Sequence, residues 1–191
     1  QGMELLGKTL GLVGLGRIGG RVAEVARALG MRVLAYDPYI PPERASALGV
    51  TAVGTLSDLL RHADIVSLHA PATPETRGLL GEAEFAQMKR GAYLVNCARG
   101  ALVDEAALIH ALRNGHLAGA ALDVLRQEPP PPDHPFLRME EVILASHIAS
   151  FTADGVAKME ETAIRQLLDA LHGNRPDNLL NPEVWPDEQP R

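Results

Sequence analysis

Short apolar runs that alternate with stretches of helical period constrain this chain more than any other feature. Residues 9–13 (TLGLV), 32–36 (RVLAY), 64–68 (DIVSL), 92–96 (AYLVN), 118–122 (AGAAL) and 142–145 (VILA) each read as a buried strand, with a small strand at 50–53. Between the first two, Ile18, Val22, Val25, Ala26 and Leu29 recur at helical spacing over 17–29, and Gly30 closes that helix. Shorter helices are predicted from Pro41-Pro42 through Leu48, over 57–62 with a cap at Thr55 or Ser57, over 82–88, and over 104–113 before Asn114-Gly115. A long helix is expected at about 152–172. Strands that alternate with helices run parallel and are covered on both faces, with right-handed crossovers. The fold expected is therefore α/β, a doubly wound parallel sheet over 1–150, with a C-terminal helix and tail over 151–191. The proline run 129–132 reads as a loop, and the tail after Asn181 is expected to fray.

In such sheets ligands bind beyond the carboxyl ends of the strands, where the strand order reverses. Asp37, His69, Arg99, Asp123 and His147 all fall after predicted strands. Residues 14–19 read GLGRIG, a G-x-G-x-x-G set between a predicted strand and a predicted helix. Gly14 permits the tight turn, Gly16 lets backbone amides approach a pyrophosphate, and Gly19 lets helix and strand pack closely. The helix start at Arg17 and Ile18 then offers unpaired N–H groups and a positive dipole end to phosphates. Asp37 ends the second strand 18 residues after Gly19, where a carboxylate can accept hydrogen bonds from an adenosine ribose. The same charge repels a 2′-phosphate, so NAD is favoured over NADP in a Rossmann-type domain. The alternative is a plain turn with a capping aspartate and no ligand.

Composition removes several other classes. Net charge is −6 with no basic block, which argues against nucleic acid as a partner. No apolar run approaches the ~18 residues of a membrane helix, and the start QGMELLGKTL lacks the zones of a signal peptide. The lone Cys97 forms no internal disulfide and suits a reducing cytoplasm. It has no base beside it in sequence, which argues against a nucleophilic role. The histidines at 62, 110, 116, 134 and 172 show no metal-ligand spacing, so no metal is expected.

Residues 94–105, LVNCARGALVDE, end an apolar strand on an arginine beside a glycine. A guanidinium keeps its charge, so Arg99 reads either as a surface ion pair or as the receiver of an anion. His147 and Glu128 are similarly open between packing or loop roles and chemistry. Taken together, GLVGLGRIG, HAPATPETRGLL, VNCARGALVDEAAL, AGAALDVLRQEP and SHIAS, in this order, resemble the D-isomer-specific 2-hydroxyacid dehydrogenases over about residues 6–182.

That resemblance implies specific roles. Arg99, in N-x-A-R-G, would hold the substrate carboxylate and polarise its 2-oxo group. His147, in H-I-x-S, would exchange a proton with the substrate oxygen. Glu128, in D-V-x-x-x-E-P, would orient the imidazole and favour its charged form. Asp123 would lie near the nicotinamide, and His69, Ala70, Pro71, Thr76, Cys97 and Ala98 would line the cofactor, with Arg99 and His147 also close to it. The implied partners are a small 2-hydroxy or 2-oxo acid and a second copy in a homodimer, in the cytoplasm.

The family builds a substrate domain largely from a segment ahead of the glycine loop, whereas only residues 1–8 precede the first strand here. The substrate domain is therefore expected to be largely absent from this chain. Ala149 and Ser146 stand where the family often has Gly and Pro. Two other readings share the motifs: an NAD-sensing co-repressor module without turnover, and an excised domain that binds NAD and nothing more. Formate dehydrogenases share the arginine and histidine but carry glutamine where Glu128 stands.

Overall fold

The structure, a computed structural model, describes residues 2–185. It divides into two units, Gln1–His147 and Ile148–Arg191. The first holds seven strands, β1 (Thr9–Val13), β2 (Arg32–Tyr36), β3 (Thr51–Ala52), β4 (Ile65–Leu68), β5 (Ala92–Asn96), β6 (Leu117–Leu122) and β7 (Val142–Leu144). Its helices are α1 (Arg17–Ala28), α2 (Pro42–Ala47), α3 (Leu56–His62), α4 (Glu82–Gln87) and α5 (Glu105–Arg113). All strand pairs are parallel, in the order β3-β2-β1-β4-β5-β6-β7. The order reverses at β1 and β4, the switch point where doubly wound sheets bind ligands.

β1 shows why both faces are covered. All five of its residues are buried. Leu10 and Leu12 pack with Ala23 and Ala26 of α1 in one apolar cluster, while Val13 joins Leu59, Leu60 and Ala63 in the other. Alternate side chains of a strand point to opposite faces, so a strand sandwiched by helices must be apolar throughout. Gly11 is part of the same design, since a Cβ there would press on Leu59 of α3 and on Ala63 just past its end.

The helix ends follow local chemistry. Thr55 Oγ1 accepts from Asp58 N at 3.0 Å to start α3, and Asp104 Oδ1 accepts from Ala107 N at 3.1 Å to start α5. Gly30 closes α1 at φ +78°. β3 and β7 are shorter than the runs predicted for them, and 3₁₀ turns at Gly100–Leu102 and Pro135–Arg138 were not anticipated. Where fraying was expected after Asn181, a 3₁₀ turn forms at Pro182–Val184, opened by a proline whose φ is preset; residues 186–191 lie outside the described residues. The second unit is built on α6 (Ala153–Leu171), capped by Thr152 Oγ1 accepting from Gly155 N at 3.0 Å. No described helix is long and apolar enough to cross a membrane.

Candidate active site

The parallel register aligns the ends of the strands. Val13 pairs with Tyr36 on one side and Leu68 on the other, so Gly14, Asp37 and His69 emerge side by side. Asn96 pairs with Leu122, and Leu122 with Leu144, so the stretches leading to Arg99, Asp123 and His147 emerge on the same edge. Backbone hydrogen bonds continue past the strands: Gly14 N to Tyr36 O at 2.9 Å, His69 N to Val13 O at 2.8 Å, Asp123 N to Asn96 O at 3.0 Å and His147 N to Asp123 O at 2.8 Å.

Two glycines of the loop are required by the chain itself. Gly14 sits at φ +98°, and a Cβ there would come within 2.8 Å of the His69 carbonyl carbon. A Cβ at Gly19 would collide with the Gly14 carbonyl oxygen. Gly16 differs, because a Cβ there meets nothing within 4 Å. The open space lies at the N-cap of α1, beside the exposed Arg17 and Ile18, and this is the observation that fits a dinucleotide pyrophosphate to the loop. Asp37 Oδ2 accepts from Leu15 N at 2.9 Å and its Oδ1 from Tyr39 N at 3.0 Å.

The loop after β4 is built from side chain to backbone. Thr76 Oγ1 accepts from Thr73 N at 2.8 Å and donates to Pro71 O at 2.6 Å, which closes the turn that follows Ala70. The His69 ring lies 3.0 Å from Ser67 Oγ, and burial pushes its pKa down, so it is uncharged at neutral pH.

Asn96, only 1% exposed, shapes the loop that carries Arg99. Its Oδ1 accepts from Ala98 N and its Nδ2 donates to Arg99 O, each at 3.0 Å. Arg99 itself is exposed, donating one Nη1 bond to Ala98 O at 2.6 Å. Gly100 then lies flat against the Leu125–Arg126 backbone, so the Arg99 stretch and the stretch leading to Glu128 touch. Glu128 Oε1 accepts from Leu125 N at 2.9 Å, and its Oε2 lies 2.7 Å from His147 Nδ1. The His147 bond, then the Leu125 bond, hold the Glu128 carboxyl below its ordinary pKa. His147 is the only non-glycine at positive φ among the described residues, at 59°. That backbone strain is a form found at sites where a side chain must be aimed.

Asp123 is 6% exposed at the end of β6. Burial, reinforced by the Asp123 charge, pushes the Cys97 thiol up, the reverse of what a nucleophile needs. No group of three metal-ligating side chains occurs among the described residues. A cleft of about 700 Å³ lined by Thr9, Arg27, Arg32, His62 and Lys89 opens at the amino ends of the strands, away from every predicted site residue.

Two residues with a clear place in this edge were not singled out from sequence. Asn96 stood inside the quoted motif without a role. Arg44 gave no signal, because one arginine on a short helix looks like surface; it donates from Nε to Leu15 O at 2.9 Å and from Nη2 to Gly16 O at 3.1 Å.

Comparison with known proteins identifies the family. Residues 1–149 match the family described as D-isomer specific 2-hydroxyacid dehydrogenase, NAD binding domain. The chain is 47% identical to the glyoxylate reductase of Aeropyrum pernix over 99% of its length and 56% of that protein's. It is 43% identical to the D-3-phosphoglycerate dehydrogenase of Methanocaldococcus jannaschii, covering 99% of this chain and 36% of that one. The structure of D-lactate dehydrogenase with NAD+ from Lactobacillus jensenii superposes with a TM-score of 0.85 at 38% identity, over 93% of this chain and 56% of that chain. The chain thus spans roughly a third to a half of the length of these relatives. It belongs to the D-isomer-specific 2-hydroxyacid dehydrogenase family, and its residues 1–149 correspond to that family's NAD-binding domain.

Proposed function

We propose that this domain serves an NAD-dependent oxidoreductase that interconverts a D-2-hydroxy acid and a 2-oxo acid. The observation that carries this reading is the 2.7 Å His147–Glu128 pair held on the same sheet edge as Arg99 and the glycine loop. Phosphoglycerate-, hydroxypyruvate- or glyoxylate-like acids are the substrates of choice, given the names of the relatives. A homodimer and a cytoplasmic setting belong to the same reading, supported by the family resemblance and the lone cysteine.

When bound, NADH supplies hydride to the 2-carbon of the oxo acid. Gly16, Arg17 and Ile18 would offer backbone amides to the pyrophosphate at the start of α1, where Gly14 permits the turn and Gly19 the close packing, and Asp37 would receive the ribose. His69, Ala70, Pro71, Thr76, Cys97, Ala98 and Asp123 line the path towards the nicotinamide. Arg99 binds the substrate carboxylate with two parallel N–H bonds and draws charge from the carbonyl oxygen. His147 donates its Nε2 proton to that oxygen and takes it back in the oxidative direction, while Glu128 on Nδ1 fixes the ring and stabilises its cation.

The test is NADH oxidation by this chain across hydroxypyruvate, glyoxylate and pyruvate, together with NADH binding. Arg99→Ala is expected to abolish turnover and leave NADH affinity largely intact. Loss of NADH binding in that variant would mean that Arg99 serves the cofactor instead. NADH binding with no turnover on any acid would favour a binding module or half-enzyme.

A further inference from the structure

The glycine loop is gripped from outside. Leu15, the fully buried second residue of GLGRIG, has its N–H held by Asp37 and its carbonyl held by Arg44 Nε at 2.9 Å. The next carbonyl, Gly16 O, takes the Gly20 amide at 3.0 Å and Arg44 Nη2 at 3.1 Å. One guanidinium therefore spans two successive peptide units, a fork that fits arginine and that lysine cannot reproduce. The reach is built in. Ala45, 1% exposed, anchors α2 in the apolar cluster shared with α1. A Cβ at Gly20 would lie 3.3 Å from Leu48 Cδ1 and 3.6 Å from Arg44 Nη2, so a glycine there leaves α2 its close approach.

We propose that Arg44 is a positioning residue for the dinucleotide: it fixes the Leu15 and Gly16 carbonyls and so presets the amides at the start of α1 for the pyrophosphate. This rests on the reading that the loop binds NAD(H). Holding the loop before the ligand arrives removes an ordering cost from binding. Because the guanidinium is committed to the two carbonyls, its effect falls on the pyrophosphate, not on the adenosine.

The test titrates this chain with NADH, ADP-ribose and adenosine, in wild type, Arg44→Ala and Arg44→Lys, with melting temperatures recorded alongside. Arg44 is exposed, so Arg44→Ala is expected to fold. It should bind NADH and ADP-ribose about tenfold more weakly, the loss expected from breaking two charge-assisted bonds, while adenosine affinity stays within about twofold. Arg44→Lys should fall between, and it tests the same ordering if the alanine variant misfolds. Equal NADH affinity in wild type and both variants overturns the proposal. So does an equal loss for adenosine and ADP-ribose, which would mark a merely structural role. If wild type itself binds none of the three, the cofactor reading falls and takes this proposal with it.

Discussion

Gly100→Ala isolates the contact between the two halves of the proposed catalytic edge. A Cβ at this position would sit 2.5 Å from Arg126 N and closer still to the Leu125 carbonyl, against the 3.4 Å at which ordinary contact begins. The backbone at Gly100 is not among the positive-φ positions, so alanine fits it conformationally and the cost comes from collision alone. Relief to ordinary contact needs a shift of about 1.4 Å, and all the opposing atoms are backbone. Overpacking of this kind costs ~1–3 kcal/mol. The stiffer unfolded chain returns ~0.4–1 kcal/mol, leaving a net loss of about 1–2 kcal/mol. For a unit of this size that lowers the melting temperature by about 3–8 °C. Because Glu128 Oε1 is tied to Leu125 N, the shift also reaches the His147 pair. Circular-dichroism melting gives the first number, and the His147 ring signals in an NMR spectrum report the second. Gly16→Ala is the opposite case, with nothing within 4 Å, so it should melt like wild type and bind NADH poorly. Unchanged melting and unchanged His147 signals in Gly100→Ala would refute the reasoning, since they would show that the Leu125 stretch yields freely.

Asn96→Ala removes two hydrogen bonds and leaves a buried gap, so it should destabilise by about 2–4 kcal/mol in urea unfolding; a loss under half of that would mean the loop holds its own shape. Glu128 has its pKa lowered in the fold, so its contribution is present above the ordinary carboxylate pKa and is lost as pH falls through the lowered value. Glu128→Gln should therefore lower stability at neutral pH and converge with wild type in acid, which flattens the acid limb, and an unaltered acid limb in pH-dependent unfolding would count against the His147 pairing. Cys97 should react with a thiol reagent more slowly at neutral pH than a free cysteine, despite its exposure, because burial and Asp123 disfavour the thiolate. Rapid labelling would contradict that.

The sheet was readable because each strand had to be apolar over its length, and β1 with its two covered faces is the clearest case. The glycine loop and Asp37 were readable because their backbone demands leave few residue choices. Glu128 was not readable from pattern: it lies in a proline-rich loop without periodicity, and only the resemblance drew attention to it. Arg44 and Asn96 were missed for another reason. Both act on backbone carbonyls and amides far from them in sequence or hidden inside a turn, and a linear pattern carries no mark of such a bond. The left-handed backbone at His147 was equally invisible, since histidine gives no hint of it.

The sheet tapers at both rims: β6 has six residues, while β3 at one edge has two and β7 at the other has three. An outer strand with its hydrogen-bonding side open is a template on which another chain can polymerise. Two or three residues offer too short a template for that. The same taper that ends the sheet thus protects the protein against edge-to-edge aggregation, and lengthening β3 is the change most apt to remove that protection.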